Sequence, residues 1–123
     1  MNGARLTTHV LDAARGVPAG GVVVIVLHSD GDEPLVEVAR AMTNADGRTD
    51  APLLEDEGFG PGVYELRYDI GSYFTAHPLD PSAPAGVPLF DEVPVRVNVA
   101  TDTGNLHVAL LVTPWSYTTY RGS

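Results

Sequence analysis

Four histidines are the side chains in this sequence best able to exchange a proton near neutral pH. His9 and His107 each lie in a run that alternates apolar and polar residues, one near each end of the chain. Two imidazoles that converge on one surface would suit general acid and base catalysis, or metal binding. A lone histidine on the solvent face of a strand is more often a simple polar residue, and His28 and His77 fit that interpretation better still.

The alternation of side chains along a strand indicates where His9 and His107 point. The more apolar faces of the two runs carry Leu6, Thr8 and Val10 in the first, and Leu106, Val108, Leu110 and Val112 in the second. If these faces pack in the core, both histidines point outward. The spacing does not show whether the two strands are neighbours.

An arginine after a turn and the C-terminal residues could bind an anion. Arg48 follows the turn residues Asp46 and Gly47, and its planar guanidinium suits an anionic or carbonyl-rich ligand, although a solvated turn arginine is the simpler interpretation. The last residues are Tyr120, Arg121, Gly122 and Ser123. Chain ends usually fray, but an arginine and a carboxylate directly after a strand could serve as a binding element.

These side chains must be positioned by β-strands, because Gly and Pro divide the chain into short alternating runs. The predicted strands are 6–12, 22–28, 35–43, 62–70, 92–100, 105–113 and 116–120, with a weak one at 52–54. The continuously apolar run 22–28 suggests a strand covered on both faces. Residues 71–76 could form one helical turn, and the prolines at 78, 81, 84 and 88 predict an irregular loop. The predicted fold is a mainly β, two-sheet antiparallel sandwich of seven or eight strands with one short helix, in a single domain spanning 1–123.

Composition excludes several classes of function. The chain has 123 residues and a net charge of −9, with seven arginines and no lysine, which disfavours nucleic acid and anionic membranes as partners. It has no cysteine, so disulfides, thiolate metal sites and cysteine nucleophiles are absent. We find no phosphate-binding glycine motif and no metalloprotease motif. The N-terminal residues lack the apolar core of a secretory signal, so we expect a cytoplasmic location.

Several separated segments resemble one known family. Residues 9–12 with 15–19, and residues 106–118, are similar to the two signatures of the transthyretin superfamily, and segments 44–50 and 64–66 extend the resemblance along the chain. The superfamily contains hormone-carrying transthyretins and 5-hydroxyisourate hydrolases. This sequence resembles the hydrolases rather than the carriers at four places: His9, Arg48, His107 and the terminal Tyr-Arg-Gly-Ser. Leu106 departs from the family's usual aromatic residue, and 80–88 looks longer than the typical loop.

The resemblance implies a function. It implies hydrolysis of 5-hydroxyisourate to 2-oxo-4-hydroxy-4-carboxy-5-ureidoimidazoline in urate degradation, without a metal or organic cofactor. The implied catalytic residues are His9, Arg48 and His107, and the implied substrate-binding residues are His9, Arg48, Thr118, Tyr120, Arg121, Gly122 and Ser123. Which histidine acts as the base stays open. Because the terminal carboxylate is expected near the histidines, a C-terminal tag is expected to reduce activity.

The resemblance also implies an assembly. Family members are eight-stranded sandwiches that dimerise by edge strands, and two dimers stack into a homotetramer around a channel. The outward histidines would then be buried by assembly rather than by folding. The alternative function is a non-enzymatic carrier of small aromatic ligands in the same channel. A sandwich that merely binds a protein or carbohydrate partner would need exposed aromatic platforms, and the sequence has only nine aromatic residues.

Overall fold

Two β-sheets pack face to face in the computed structural model, which describes residues 3–83 and 86–123. Pro84, part of the predicted irregular loop, lies outside the described residues. The elements are β1 (Arg5–Asp12), β2 (Val17–Pro18), β3 (Val23–Ser29), β4 (Val36–Met42), β5 (Leu54–Glu55), β6 (Gly62–Asp69), α1 (Ile70–Ala76), β7 (Glu92–Val99), β8 (Leu106–Thr113) and β9 (Ser116–Gly122). A single 3-10 turn, Asp56–Gly58, separates β5 from β6. The predicted mainly β sandwich with one short helix is confirmed, but the described residues form nine strands rather than seven or eight, because the two-residue strand β2 was expected to be part of a turn.

The first sheet has the strand order β2-β1-β8-β9, with β5 also on β1, and the second has the order β4-β3-β6-β7. Strands β1 and β8 run parallel, whereas the other described pairings are antiparallel. The expectation of a wholly antiparallel sandwich is wrong at this one ladder. Strands adjacent in a hairpin must be antiparallel, but β1 and β8 lie at opposite ends of the chain, so no short turn dictates their direction.

The core lies where the alternation predicted it. The predicted inner faces of β1 and β8 are buried, with Leu6, Val10 and Leu110 fully covered, and Tyr64 and Tyr68 of β6 pack in the same core. Leu106, which replaces an aromatic residue of the family pattern, is 6% exposed and belongs to the same core. The expectation that β3 is covered on both faces is not met in the described chain, because its Val23 and Ile25 side chains stay partly exposed.

The helix α1 begins directly after β6. The Asp69 side chain accepts a hydrogen bond from the backbone N–H of Ser72, which caps the first turn. The described part of the following loop, 78–83 and 86–90, contains no helix or strand, as its prolines predicted. Within residues 3–83 and 86–123, no helix is long and apolar enough to cross a membrane.

A buried carboxylate joins the end of β1 to α1. Asp12 is fully buried and accepts hydrogen bonds from the backbone N–H groups of Ala14 and Arg15, from Arg15 Nη1 at 2.7 Å and from the Tyr73 hydroxyl at 2.9 Å. Burial alone would raise the pKa of Asp12, but the hydrogen bonds from Arg15 and Tyr73 outweigh it and leave the pKa below its ordinary value. We refer to this cluster of Asp12, Arg15 and Tyr73 as the Asp12 network.

Candidate active site

The parallel pairing of β1 with β8 brings the two outward histidines together. In this register Thr7 lies opposite His107, and His9 lies opposite Ala109. The His9 and His107 rings have centroids 6.5 Å apart and planes tilted by 47°. The alternation pattern predicts that both histidines lie on outer strand faces. The pairing of β1 with β8 joins those two faces into one surface.

Strand β9 extends this outer face on the other side of β8. Gly122 lies opposite His107, and Tyr120 lies opposite Ala109. Directly paired residues point to the same side of a sheet, so Tyr120 and Gly122 share the face of the histidines. Thr118, opposite Leu111, follows one step further along the same face.

The turn 44–48 positions His9 and Arg48. The Asn44 side chain accepts hydrogen bonds from the backbone N–H of Asp46 at 2.9 Å and from that of Arg48 at 3.3 Å. Gly47 has a φ of 75°, and a Cβ atom there would lie 2.3 Å from the carbonyl oxygen of Val10. This turn therefore requires glycine, because only glycine combines that φ with so close a backbone approach.

His9 has one ring nitrogen fixed by this turn. Its Nε2–H donates to the carbonyl oxygen of Asp46 at 2.9 Å. Because a carbonyl can only accept, the bond selects the Nε2-protonated form of neutral His9 and leaves Nδ1 as an acceptor. Arg48 pairs with His9 in an isolated bridge, which places the arginine beside the imidazole along the backbone.

His107 has one ring nitrogen bonded and is partly buried. Its Nδ1 lies 2.8 Å from the Thr7 hydroxyl oxygen. Burial, the positive charge of Arg48 and the neighbouring His9 together lower the pKa of His107 below its ordinary value of 6.5. The imidazole is therefore neutral at neutral pH and able to accept a proton. Gly122 gives this ring its room, since a Cβ atom at Gly122 would lie 2.3 Å from His107 Cδ2.

A cleft of about 350 Å³ opens beside His107. Its lining residues are Arg5, Thr7, Arg48, Asn105, His107, Gly122 and Ser123. In the part of the chain that the structure describes, neither Arg5 nor Arg48 has a carboxylate within 4.0 Å. Two uncompensated cations in a protein of net charge −9 make this cleft suitable for an anionic or carbonyl-rich molecule. Among the described residues there is no cluster of His, Cys, Asp or Glu that could hold a metal ion.

A larger cleft of about 440 Å³ lies between α1, the proline-rich loop and the β8–β9 turn. Its lining is mostly apolar and includes Phe74, Phe90 and Trp115. Asp80 is the only titratable side chain among the described residues of that lining. The larger cleft lacks the acid, base and cationic groups that the smaller cleft brings together.

Of the residues expected at the site, Arg48, His107, Gly122 and Ser123 line the cleft, and His9, Thr118 and Tyr120 lie on the same outer face without lining it. Arg121 lies elsewhere. Arg121 pairs with Val108, whose side chain is in the core, so Arg121 points away from the face of His107. Its guanidinium donates to the carbonyl oxygens of Thr103 and Asn105, each at 2.9 Å. Arg121 therefore supports the turn before β8 rather than lining the cleft.

Three lining residues were not among the sequence candidates. Thr7 could have been found, because it shares the face of His9 in the alternating pattern. Arg5 and Asn105 come together when the Asn105 side chain accepts the Arg5 backbone N–H at 2.9 Å, a contact between residues a hundred positions apart. Nothing in the local sequence marks that contact.

The fold, the outward histidines and the glycine turn before Arg48 define a transthyretin-like sandwich with a polar site on one sheet. Residues 6–122 match the model of the HIUase/Transthyretin family, so this chain belongs to that family. The resemblance seen in the signature segments is thereby confirmed.

The chain is also similar to individual relatives and to solved structures. The 5-hydroxyisourate hydrolase of Deinococcus radiodurans is 48% identical to this chain, over 96% of this chain and 95% of that protein. A crystal structure of (S)-allantoin synthase superposes with a TM-score of 0.87 at 35% identity, covering 99% of this chain but only 44% of that one. Transthyretin from Sparus aurata superposes with a TM-score of 0.83 at 28% identity, over 97% of each chain. A hydrolase, a synthase and a transthyretin thus share this backbone fold, and only their side chains can distinguish them.

Proposed function

We propose that this protein hydrolyses 5-hydroxyisourate, the substrate in the name of its Deinococcus radiodurans relative. The observation that carries the proposal is that His107 and Arg48 line one cleft and His9 lies beside both of them, with a His107 imidazole that is neutral at neutral pH. A carrier of small aromatic ligands does not need a base beside an unpaired cation. Hydrolysis of a cyclic acyl compound needs both.

In the proposed reaction, water adds to an acyl carbon of the ring. A base takes a proton from the water, the new C–O bond forms, and negative charge collects on the carbonyl oxygen. The carbon–nitrogen bond then breaks, the nitrogen receives a proton, and the ring opens to a carboxylate. Each proton passes between water, an imidazole and the leaving nitrogen, so no further reactant is required.

His107 is the proposed base. Its lowered pKa keeps the imidazole neutral at neutral pH, and Nδ1 is bonded to Thr7, so Nε2 is the nitrogen left to accept a proton. His9 would hold the water or the substrate through Nδ1, because its Nε2–H is bound to Asp46. With ring centroids 6.5 Å apart, the two imidazoles are close enough to contact the same small group.

Arg48 would bind the substrate's carbonyl groups and stabilise the developing oxyanion. Its guanidinium lines the same cleft as His107, and charge-assisted hydrogen bonds to an oxyanion are stronger than neutral ones. Gly122 and Ser123 would form the adjoining wall. Tyr120 and Thr118 would contact substrate along the same outer face, and Arg121 would act indirectly by holding Asn105.

We also propose that the protein is a cytoplasmic homotetramer built as a dimer of dimers. Tyr120 is 55% exposed in the single chain, and the residues of β9 are exposed except for the partly buried Gly122. A second copy packed on this face would cover the aromatic ring and enclose the cleft. Light scattering coupled to size-exclusion chromatography measures the expected fourfold mass directly, and a monomer would contradict the proposed assembly.

The proposed activity is tested by the decay of freshly generated 5-hydroxyisourate, followed by ultraviolet absorbance. We expect the protein to accelerate the decay and His107→Asn to reduce the turnover by about a hundredfold or more, because one general base is lost. His77→Asn is the matched control, since His77 lies at the end of α1 and stacks on Tyr73 rather than lining the cleft. A folded protein that leaves the decay unchanged would contradict the hydrolase and favour the carrier, whose test is binding of an aromatic ligand.

A further inference from the structure

We propose that Thr7 is a positioning residue that holds the proton of neutral His107 on Nδ1, so that Nε2 accepts the proton from water. The inference rests on the proposed function and deepens it by identifying the reacting nitrogen. Thr7 acts through His107, and a residue of this kind orients the base without itself exchanging the proton.

The register of the parallel ladder gives Thr7 this role. Thr7 and His107 are direct partners in β1 and β8, and their hydroxyl oxygen and Nδ1 are 2.8 Å apart. Threonine is branched at Cβ, which restricts its χ1 rotation and holds the hydroxyl in place. On the other side, Gly122 removes any side chain that would press on the imidazole. The ring is thereby held at one nitrogen and left open towards the cleft.

Unlike a carbonyl, a hydroxyl can either donate to Nδ1 or accept from it. If Thr7 donates, the proton of neutral His107 is on Nε2, and the ring cannot act as a base there. The positive charge of Arg48 in the same cleft favours the other arrangement, in which the Nε2 lone pair faces the cleft and Nδ1–H donates to Thr7. Once His107 is protonated, both ring nitrogens donate, so Thr7 remains the acceptor throughout the cycle.

The neutral hydroxyl also suits a base that must remain unprotonated. A carboxylate at the same place would stabilise the imidazolium and raise the pKa of His107. The titratable or charged side chains near His107 are instead His9 and Arg5 from β1 and Arg48 from the turn, and Ser123, the residue after β9, lines the same cleft. Thr7 can therefore orient the ring while burial, the charge of Arg48 and the neighbouring His9 keep the pKa of His107 low.

The first test is the tautomer of His107, measured by nitrogen-15 NMR of the histidine rings. We expect wild-type His107 to carry its proton on Nδ1 when neutral, and Thr7→Ser to keep it there. Thr7→Val has nearly the same shape without the hydroxyl, so we expect it to give a mixture of the two tautomers. A neutral wild-type His107 ring that carries its proton on Nε2 would overturn the inference. This measurement uses the wild-type protein, so it does not depend on whether a variant folds.

The second test separates positioning from structure by kinetics. We expect Thr7→Val to lower kcat by about tenfold or more, with a smaller change in KM, and Thr7→Ser to restore kcat to within about threefold of wild type. Thr101→Val, an exposed threonine in the β7–β8 turn, is the matched control. Equal kcat values for wild type and folded Thr7→Val would overturn the role of Thr7.

Failure of this inference can be distinguished from failure of the proposed function. If the wild-type protein does not hydrolyse 5-hydroxyisourate, the proposed function fails while the NMR result still decides which nitrogen carries the proton. If wild type is active and the Thr7 variants match it in tautomer and turnover, the hydrolase stands and the inference about Thr7 fails.

Discussion

Two polar clusters include residues of β1: the Asp12 network, and a second cluster of Thr7, His9, Arg48 and His107, called the His107 site. They differ in how fully their polar atoms are hydrogen-bonded. Asp12 is completely buried, and its carboxylate accepts from Ala14, Arg15 and Tyr73. His107 is only partly buried, with one ring nitrogen bonded to Thr7, and Arg48 beside it lacks a carboxylate partner in the described chain.

The difference separates a cluster that stabilises the fold from one that can bind a ligand. A buried charge is tolerated when its hydrogen bonds are complete, so removing one member of a complete set destabilises the protein. An incomplete set facing a cleft keeps its hydrogen-bonding capacity for a substrate. We therefore expect changes in the Asp12 network to affect stability, and changes at the His107 site to affect turnover.

The largest expected effect is on the stability of Asp12→Ala. Loss of the carboxylate leaves the Tyr73 hydroxyl and two backbone N–H groups without their acceptor, so we expect the free energy of unfolding to fall by about 3 kcal/mol. Denaturant unfolding measures the change. Asp32→Ala, at an exposed turn aspartate, is the matched control and should change it by less than about 0.5 kcal/mol.

The Asp12 network also predicts the direction of the pH dependence of stability. The folded pKa of Asp12 is below its ordinary value of 3.8, so the stabilising contribution is present above that value and is lost as pH falls through the folded pKa. Asp12→Ala should lack this part of the acid destabilisation. An unchanged unfolding free energy in the variant would mean that the complete network does not stabilise the fold.

A second prediction concerns Gly122→Ala, which should affect turnover more than stability. The added Cβ would lie 2.3 Å from His107 Cδ2, so the imidazole must move away from its position against Thr7. Displacement of a catalytic group by about 1 Å can cost up to a hundredfold in rate, and we expect kcat to fall by about tenfold or more. The decay of 5-hydroxyisourate measures it.

Gly58→Ala is the matched control for this substitution, because a Cβ atom at Gly58 would meet no atom within 4 Å. We expect that variant to keep wild-type turnover. If Gly122→Ala kept it too, the His107 ring would be mobile enough that its observed position does not matter for catalysis.

The smallest expected effect is a change in the pKa of His107 in Arg48→Gln. Burial is the main cause of the low pKa and remains, but the nearby positive charge is removed, so the pKa should rise towards 6.5 without reaching it. More of His107 is then protonated in mildly acidic solution, and the acid limb of the activity profile moves to higher pH. NMR titration of the His107 ring measures the direction.

Arg40→Gln is the matched control for the titration, since Arg40 lies on β4 of the other sheet and binds Glu37. The His107 titration should be unchanged in that variant. A fall in the pKa of His107 in Arg48→Gln would show that the guanidinium does not act on the imidazole through its charge.

Much of the fold can be predicted from the local sequence, because side chains in a strand alternate between the two faces of the sheet at every residue. Alternation alone predicts the inner position of Leu6, Val10 and Leu110, which is confirmed, and the strand ends lie within a few residues of the predicted ones. Gly47 and the short turn before Arg48 were also readable from residue types, because few residues accept a positive φ. The family followed from two separated signatures, which the match over 6–122 confirms.

The sequence by itself determined the sandwich, its apolar core and the outward direction of His9 and His107, because these depend on side chains one or two positions apart. The tertiary structure alone decided that β1 and β8 run parallel and place Thr7 opposite His107. It also decided that Arg121 faces away from the cleft while Arg5 and Asn105 border it. The β1–β8 ladder and the contact of Arg5 with Asn105 join residues a hundred positions apart, and such pairing is set by the packing of the whole core rather than by any local pattern.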